Sequence, residues 1–309
     1  MMMPMTTTAI DLPSPSKSWS VSLLSVGAIL VASGIIHLAL LGVSGGAWEG
    51  PTSLRKPGLF GLSAGVTAWS LAWAIVKLRP HPFDRFGSRL LAVCLLVEVG
   101  LITLQQWRGV PSHFNRATQF DAAIEAIMLA MILLVTAGVC WLSFRSIRLP
   151  PLAASTASAL RGGLWLLAIS CILGIGVTVL GEINRAQGRA LEVWGQAGVL
   201  KYPHGAAMHA IQVLAILDWL LSRLRSPFAL VAARSAIASH AFFLIHAIWQ
   251  TAQGRARHDL DFVSVLLVSA SIALLAASIA ATAFGYWTKY RRTGPPTERA
   301  LRIDRSRNV

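Results

Sequence analysis

Apolar residues gather into eight long runs separated by short polar stretches, roughly 19–43, 58–77, 88–107, 120–143, 161–181, 203–222, 228–252 and 262–286. Each run comes close to the about 20 residues an α-helix needs to cross a bilayer. The pattern predicts an all-α fold, a polytopic integral membrane helical bundle of about eight transmembrane helices. The first run is too long for a signal-peptide core, and no clear small-residue cleavage site follows it, so it is expected to remain as a span. Residues 1–18 form an N-terminal segment, 19–286 the transmembrane bundle and 287–309 a basic tail.

Composition agrees with the pattern. Hydrophobic residues make up 55% of the chain and charged residues 13%, with a mean hydropathy of +0.61. A soluble domain carries about 25% charged residues, so the chain lacks the polar surface to cover a water-facing globule. A soluble enzyme, a disordered protein and a disulfide-built secreted domain are excluded. Cys94, Cys140 and Cys171 all fall inside apolar runs and form no CxxC pair, so neither a disulfide nor structural zinc is expected.

The net charge of +14 would suggest nucleic acid in a soluble protein. Here the positive residues sit between and after apolar runs, so membrane topology explains them and no nucleic acid is expected. The N-terminus, the 2–3, 4–5 and 6–7 connections and the C-terminus together hold two thirds of the 27 Lys and Arg residues. The positive-inside rule then places both termini in the cytoplasm, in a plasma (inner) membrane.

The two halves of the chain echo each other. Trp48, Gly50, Lys56, Pro57 and Gly58 precede the second span; Trp194, Gly195, Lys201, Pro203 and Gly205 lead into the sixth. Gln105, Trp107, Arg108, Gly109 and His113 follow the third; Trp249, Gln250, Gln253, Gly254, Arg255 and His258 follow the seventh. Paired positions stay roughly 140 to 150 residues apart, as a repeat requires. Two readings fit: a 4+4 parallel repeat with halves 19–148 and 161–286, or shared use of Trp, Gly and Pro at interfaces and turns.

Ionisable side chains inside spans are costly and face a protein interior or a cavity. His37, His209 and His246 lie within about 10 Å of the expected outer helix ends, at 1.5 Å per residue. Asp121 and Glu125 stand i,i+4 on one helix face there. His204 and His209 are five apart, about 140° around a regular helix, and are poor ligands of one metal from such a helix. Gln212 shares the face of His209. Imidazole suits transition metals and haem iron, so His37, His209, His246 and His204 are the candidate metal ligands. Glu125, Asp121, Glu98 and His113 are the candidate catalytic groups. Glu98 sits at mid-span, where a carboxyl must be protonated or paired, and Gln105 lies seven residues on. Arg55, Lys56, Arg108, Gln105 and Gln212 are candidates for holding a substrate, the cations for an anionic group.

The chain carries no P-loop, HExxH, GxSxG, CxxCH or GxGxxG followed by an acid. The expectation is a metal- or haem-dependent membrane enzyme working near the extracytoplasmic face on a small hydrophobic or anionic substrate. A proton-coupled or small-solute transporter, a lipid-modifying hydrolase or transferase, and a membrane assembly factor are the alternatives.

Overall fold

The computed structural model describes residues 19–50 and 52–293. The expected N-terminal segment and the tail from residue 294 onward lie outside the described residues. The chain is an all-α polytopic bundle. Its helices are α1 (Val21–Ser44), α2 (Arg55–Ile75), α3 (Asp84–Trp107), α4 (Gln119–Arg145), α5 (Ala154–Ala186), α6 (Lys201–Met208), α7 (Ala210–Leu224), α8 (Ala229–Ala252) and α9 (Phe262–Thr293). Helices α6 and α7 form one span interrupted at His209, so eight spans among the described residues are long and apolar enough to cross a membrane. A short antiparallel ribbon, β1 (Val193–Trp194) and β2 (Gly198–Val199), folds the connection between α5 and α6.

Eight crossings are an even number, so both ends of the described chain lie on one face of the bundle. We call it the termini face and the opposite one the far face. Most helix bounds lie close to the apolar runs. The main departure is α5, 33 residues long against an expected 161–181. Ala154, Ala157, Ala159 and Leu160 are strong helix formers and carry the helix past the apolar stretch.

Packing inside each half follows one order. α1 packs on α2 and α3, α2 on α3, and α3 on α4; α5 packs on α6–α7 and α8, α6–α7 on α8, and α8 on α9. The close pairs use different devices. Between α1 and α2, glycines let the backbones meet: a Cβ on Gly61 would stand 2.8 Å from the Leu30 carbonyl oxygen and 2.9 Å from the Gly34 Cα. Small residues at such a crossing gain van der Waals contact where lipid offers no hydrophobic driving force. Between α8 and α9, serines bond reciprocally: Ser239 Oγ donates to the Ser271 carbonyl (2.8 Å) and Ser271 Oγ to that of Ser239 (2.9 Å).

The halves meet through α4 against α5 and α2 against α7. The apolar core between them includes Leu71, Leu91, Leu142, Leu160, Leu164 and Ile211. Most of it belongs to the termini-face half of the bundle. Toward the far face, polar side chains and loops make the connection.

Candidate functional site

The far face holds most of the predicted residues, and the structure sorts them into two kinds. The first kind closes helix ends. At the end of α3, Gln105 is fully buried and its Nε2 donates to Asp121 Oδ1 at 3.0 Å. Arg108 donates to Gln105 Oε1 and to Asp121 Oδ1 at 2.6 Å. Asp121 also receives the Thr118 hydroxyl (2.7 Å), and its own N–H is capped by that hydroxyl (3.1 Å). The Gln105 and Asp121 side chains thus find their partners within the chain.

An equivalent corner ends α8. Gln250 is fully buried, donates to the Ala256 and Asp259 carbonyls (2.9 and 2.8 Å) and accepts from Ser264 Oγ (2.7 Å). Arg255 pairs with Asp261 at 3.1 Å. The Ser264 backbone N–H, with help from its hydroxyl, Trp249 and Arg255, holds the Asp261 carboxyl down at about 2. Both helices stop at a glycine in the left-handed region, Gly109 (φ 70°) and Gly254 (φ 67°). In both, the next N–H closes on the buried glutamine: Val110 on the Gln105 carbonyl and Arg255 on that of Gln250, each at 3.1 Å. This is the Schellman closure, built twice with a glutamine and a glycine at the same spacing.

The histidines expected to share a metal do not meet. Among the described residues, no group of three or more His, Cys, Asp and Glu side chains is placed to hold one. His37 is buried and fully engaged: Nδ1–H donates to the Ser33 carbonyl (2.7 Å) and Nε2 accepts from Trp107 Nε1–H (3.1 Å). His204 is tied to α5 through Nδ1 and the Ser170 carbonyl at 2.7 Å. His246 is buried in an aromatic surround of Tyr202 and Phe243, with ring centroids 6.0 and 6.1 Å away, and its Nδ1 has no hydrogen-bond partner among the described residues. They share a depth because all belong to the far-face ends of helices. Depth along a helix says nothing about lateral neighbours.

Glu125 and Asp121 share a face but not a task. Glu125 is held by Arg116 at 3.1 Å, and Arg116 also reaches Glu182 of α5 at 3.3 Å. The 3–4 connection thereby ties the two halves at the far face. Glu98 stands apart in α3; its buried Oε2 has no partner among the described residues.

The second kind of residue lines the seam between α2 and α6–α7. On α2, Lys56, Phe60, Ser63 and Thr67 follow at spacings of four, three and four and share one face. Facing them, Gln212 Nε2 donates to Thr67 Oγ1 at 3.1 Å, and its Oε1 accepts from His209 Nδ1 at 2.8 Å. Ser63 points its hydroxyl at Met208 Sδ, 3.6 Å away. This polar floor lies about 18 Å along α2 from its far-face end, at 1.5 Å per residue. His209 stays exposed at the helix interruption.

At the far-face mouth of the seam, the loop after α3 lays His113 on Phe60, ring centroids 5.7 Å apart. Ser112, buried beside it, places Oγ 2.9 Å from His113 Nδ1. Burial, and then the positive charges of Lys56 and Lys201, hold the His113 imidazole down at about 3. It is neutral at pH 7. Lys201, at the start of α6, is paired with Glu192, whose charge also reaches Lys56. Arg55 turns away and stacks over Trp48, 5.5 Å from the ring centre. Two ammonium groups, a neutral imidazole and a hydroxyl, against one carboxylate, suit an anionic group with an apolar body.

Of the predicted substrate residues, Lys56 and Gln212 lie on this seam, while Gln105 and Arg108 belong to the helix-end corner. Ser112, Thr67 and Lys201 were missed as site residues. Lys201 had a signal, since it stands where Arg55 and Lys56 stand in the other half. Ser112 had none beyond its neighbour His113. No family model, no curated protein and no solved structure matches the chain.

Proposed function

We propose that the protein is a membrane-embedded hydrolase or transferase acting on an amphipathic anion at the extracytoplasmic face. The observation that carries this reading is the far-face mouth: Ser112 against a neutral His113, flanked by Lys56 and Lys201 at the end of an intramembrane seam. The two ammoniums hold the anionic group. His113 accepts the Ser112 proton as Oγ bonds to the substrate's phosphorus or acyl carbon. The bond to the leaving oxygen breaks, and that oxygen takes the proton back from His113. The Thr67–Gln212–His209 floor receives a polar group deeper in the substrate.

Two measurements test this. Purified protein, denatured thermally with and without dodecyl phosphate, should be stabilised by it and not by dodecyl maltoside, with the effect lost in a Lys56→Gln, Lys201→Gln double variant. A fluorophosphonate probe should label the wild type and not Ser112→Ala. Equal response to both detergents, or equal labelling, would sink the reading.

A transporter is the second reading. The matched packing order of the halves favours it, because transporters are often built from repeats, and Glu98 is its proton group. No proton-coupled flux of an amphipathic anion into sealed vesicles would count against it, and flux that survives Glu98→Gln would remove Glu98 as the proton group.

A further inference from the structure

Helices α7, α8 and α9 leave a groove of about 450 Å³ between them. Its floor is Ala236 and Ser278, both buried; its rims are Val213 and Leu217 on one side and Leu275 and Ile279 on the other. It runs along α7 from Val213 to Leu224 and along α9 from Leu275 to Tyr286. Eleven residues of helix rise about 16 Å, and half of an about 30 Å hydrocarbon core is about 15 Å. The groove is therefore one leaflet long, ends at the termini face, and opens sideways.

Its mouth is cationic. Leu224 and Tyr286 close the lining, and next to them stand Arg223, Arg225 and Lys289. Lys289 Nζ donates to the Arg223 carbonyl at 2.6 Å, which draws the ends of α7 and α9 together. Arg223 lies over Trp219, 4.5 Å from the ring centre, and Arg225 is in the left-handed region (φ 51°) at the end of α7. The described acids of this face are engaged elsewhere: Asp218 with Lys77 and Thr156, Asp84 with Arg145.

We infer that this groove seats one acyl chain of an anionic phospholipid from the termini-face leaflet, with its headgroup on Arg223 and Arg225. An apolar slot of leaflet length fits the chain, and the basic mouth complements the phosphate. A zwitterionic lipid would fill the slot equally well but would gain less from the mouth, since a basic residue near the surface favours anionic lipid.

Protein extracted in mild detergent, stripped of lipid and offered phosphatidylglycerol or phosphatidylcholine, is read by native mass spectrometry. One phosphatidylglycerol should be retained in preference to phosphatidylcholine. An Arg223→Gln, Arg225→Gln double variant should lose that preference by about tenfold. Ala236→Trp, which fills the floor, should abolish retention of either lipid; Thr282→Phe on the rim does the same should the first variant not fold. Equal retention of both lipids by the wild type would overturn the inference. So would retention unchanged by the groove variants, or a groove filled by a second copy and read as a dimer mass. None of these residues touches the Lys56–His113–Lys201 mouth, so the two proposals fail independently.

Discussion

The Gln105 corner and the seam mouth both lie at the far face and draw on the same residue types, yet their chemistry differs. At the corner, a fully buried glutamine, an arginine and an aspartate satisfy one another. At the mouth, Lys56 and Lys201 face a neutral histidine with one carboxylate nearby. The first arrangement is complete without a ligand. The second has like charges close together, which costs stability unless an anion is present. Polar residues at one depth of a membrane protein thus divide into those that finish the fold and those that await something else.

That division can be broken or sharpened by measurement. The largest effect is expected at the corners. Gln250→Leu leaves the Ala256 and Asp259 carbonyls and the Ser264 hydroxyl without their partner and should cost about 2–3 kcal/mol, at about 1–3 kcal/mol for groups left unsatisfied. Gln105→Leu should cost about as much, read as a fall in thermal midpoint in detergent. Two corners of very different sensitivity would undo their equivalence. Next comes the α1–α2 crossing, where Gly61→Leu must push the backbones apart. A cost of about 1–3 kcal/mol is expected, again as a lower midpoint, with the seam mouth still able to bind dodecyl phosphate.

At the mouth the order reverses. Lys56→Gln or Lys201→Gln should leave stability within about 0.5 kcal/mol of the wild type while weakening dodecyl phosphate binding about tenfold by titration. A large stability loss would move these lysines into the structural class.

The smallest effect is a pH dependence. His113 is held at about 3, below the about 6.5 of an exposed imidazole. The unfolded chain therefore binds more protons than the folded one between these values, and stability rises with pH through that window. It is complete above about 6.5 and is lost as pH falls toward 3. His113→Gln should flatten that part of the profile; an unchanged slope would place the imidazole in a more open setting.

Much of the fold is written in local pattern. Eight apolar runs become eight spans because each must satisfy its backbone within the membrane, and only helices do so segment by segment. The glycines that stop α3 and α8 are readable for the same reason, since a left-handed residue after a helix favours glycine. The candidate site was legible only in part. Lys56, His113 and Gln212 could be named from residue type and depth. Their separation from Gln105, Arg108 and Asp121 could not, because it depends on which helix faces which. His37 shows the same limit: its sequence position suggests a ligand, but Trp107, 70 residues away, takes its lone pair.

By itself the sequence determined the span count and the place of each polar side chain along its helix. These follow from hydropathy, helical rise and local turn chemistry, which act over neighbouring residues. The tertiary structure decided who meets whom. It gave the four candidate metal histidines separate surroundings, brought Lys201 beside Lys56 and His113 from 145 and 88 residues away along the chain, and opened a leaflet-long groove between α7, α8 and α9. Lateral placement rests on glycine and serine crossings between helices; the spacing of Gly58, Gly61 and Gly65 marks a close helix face but does not say which helix it meets.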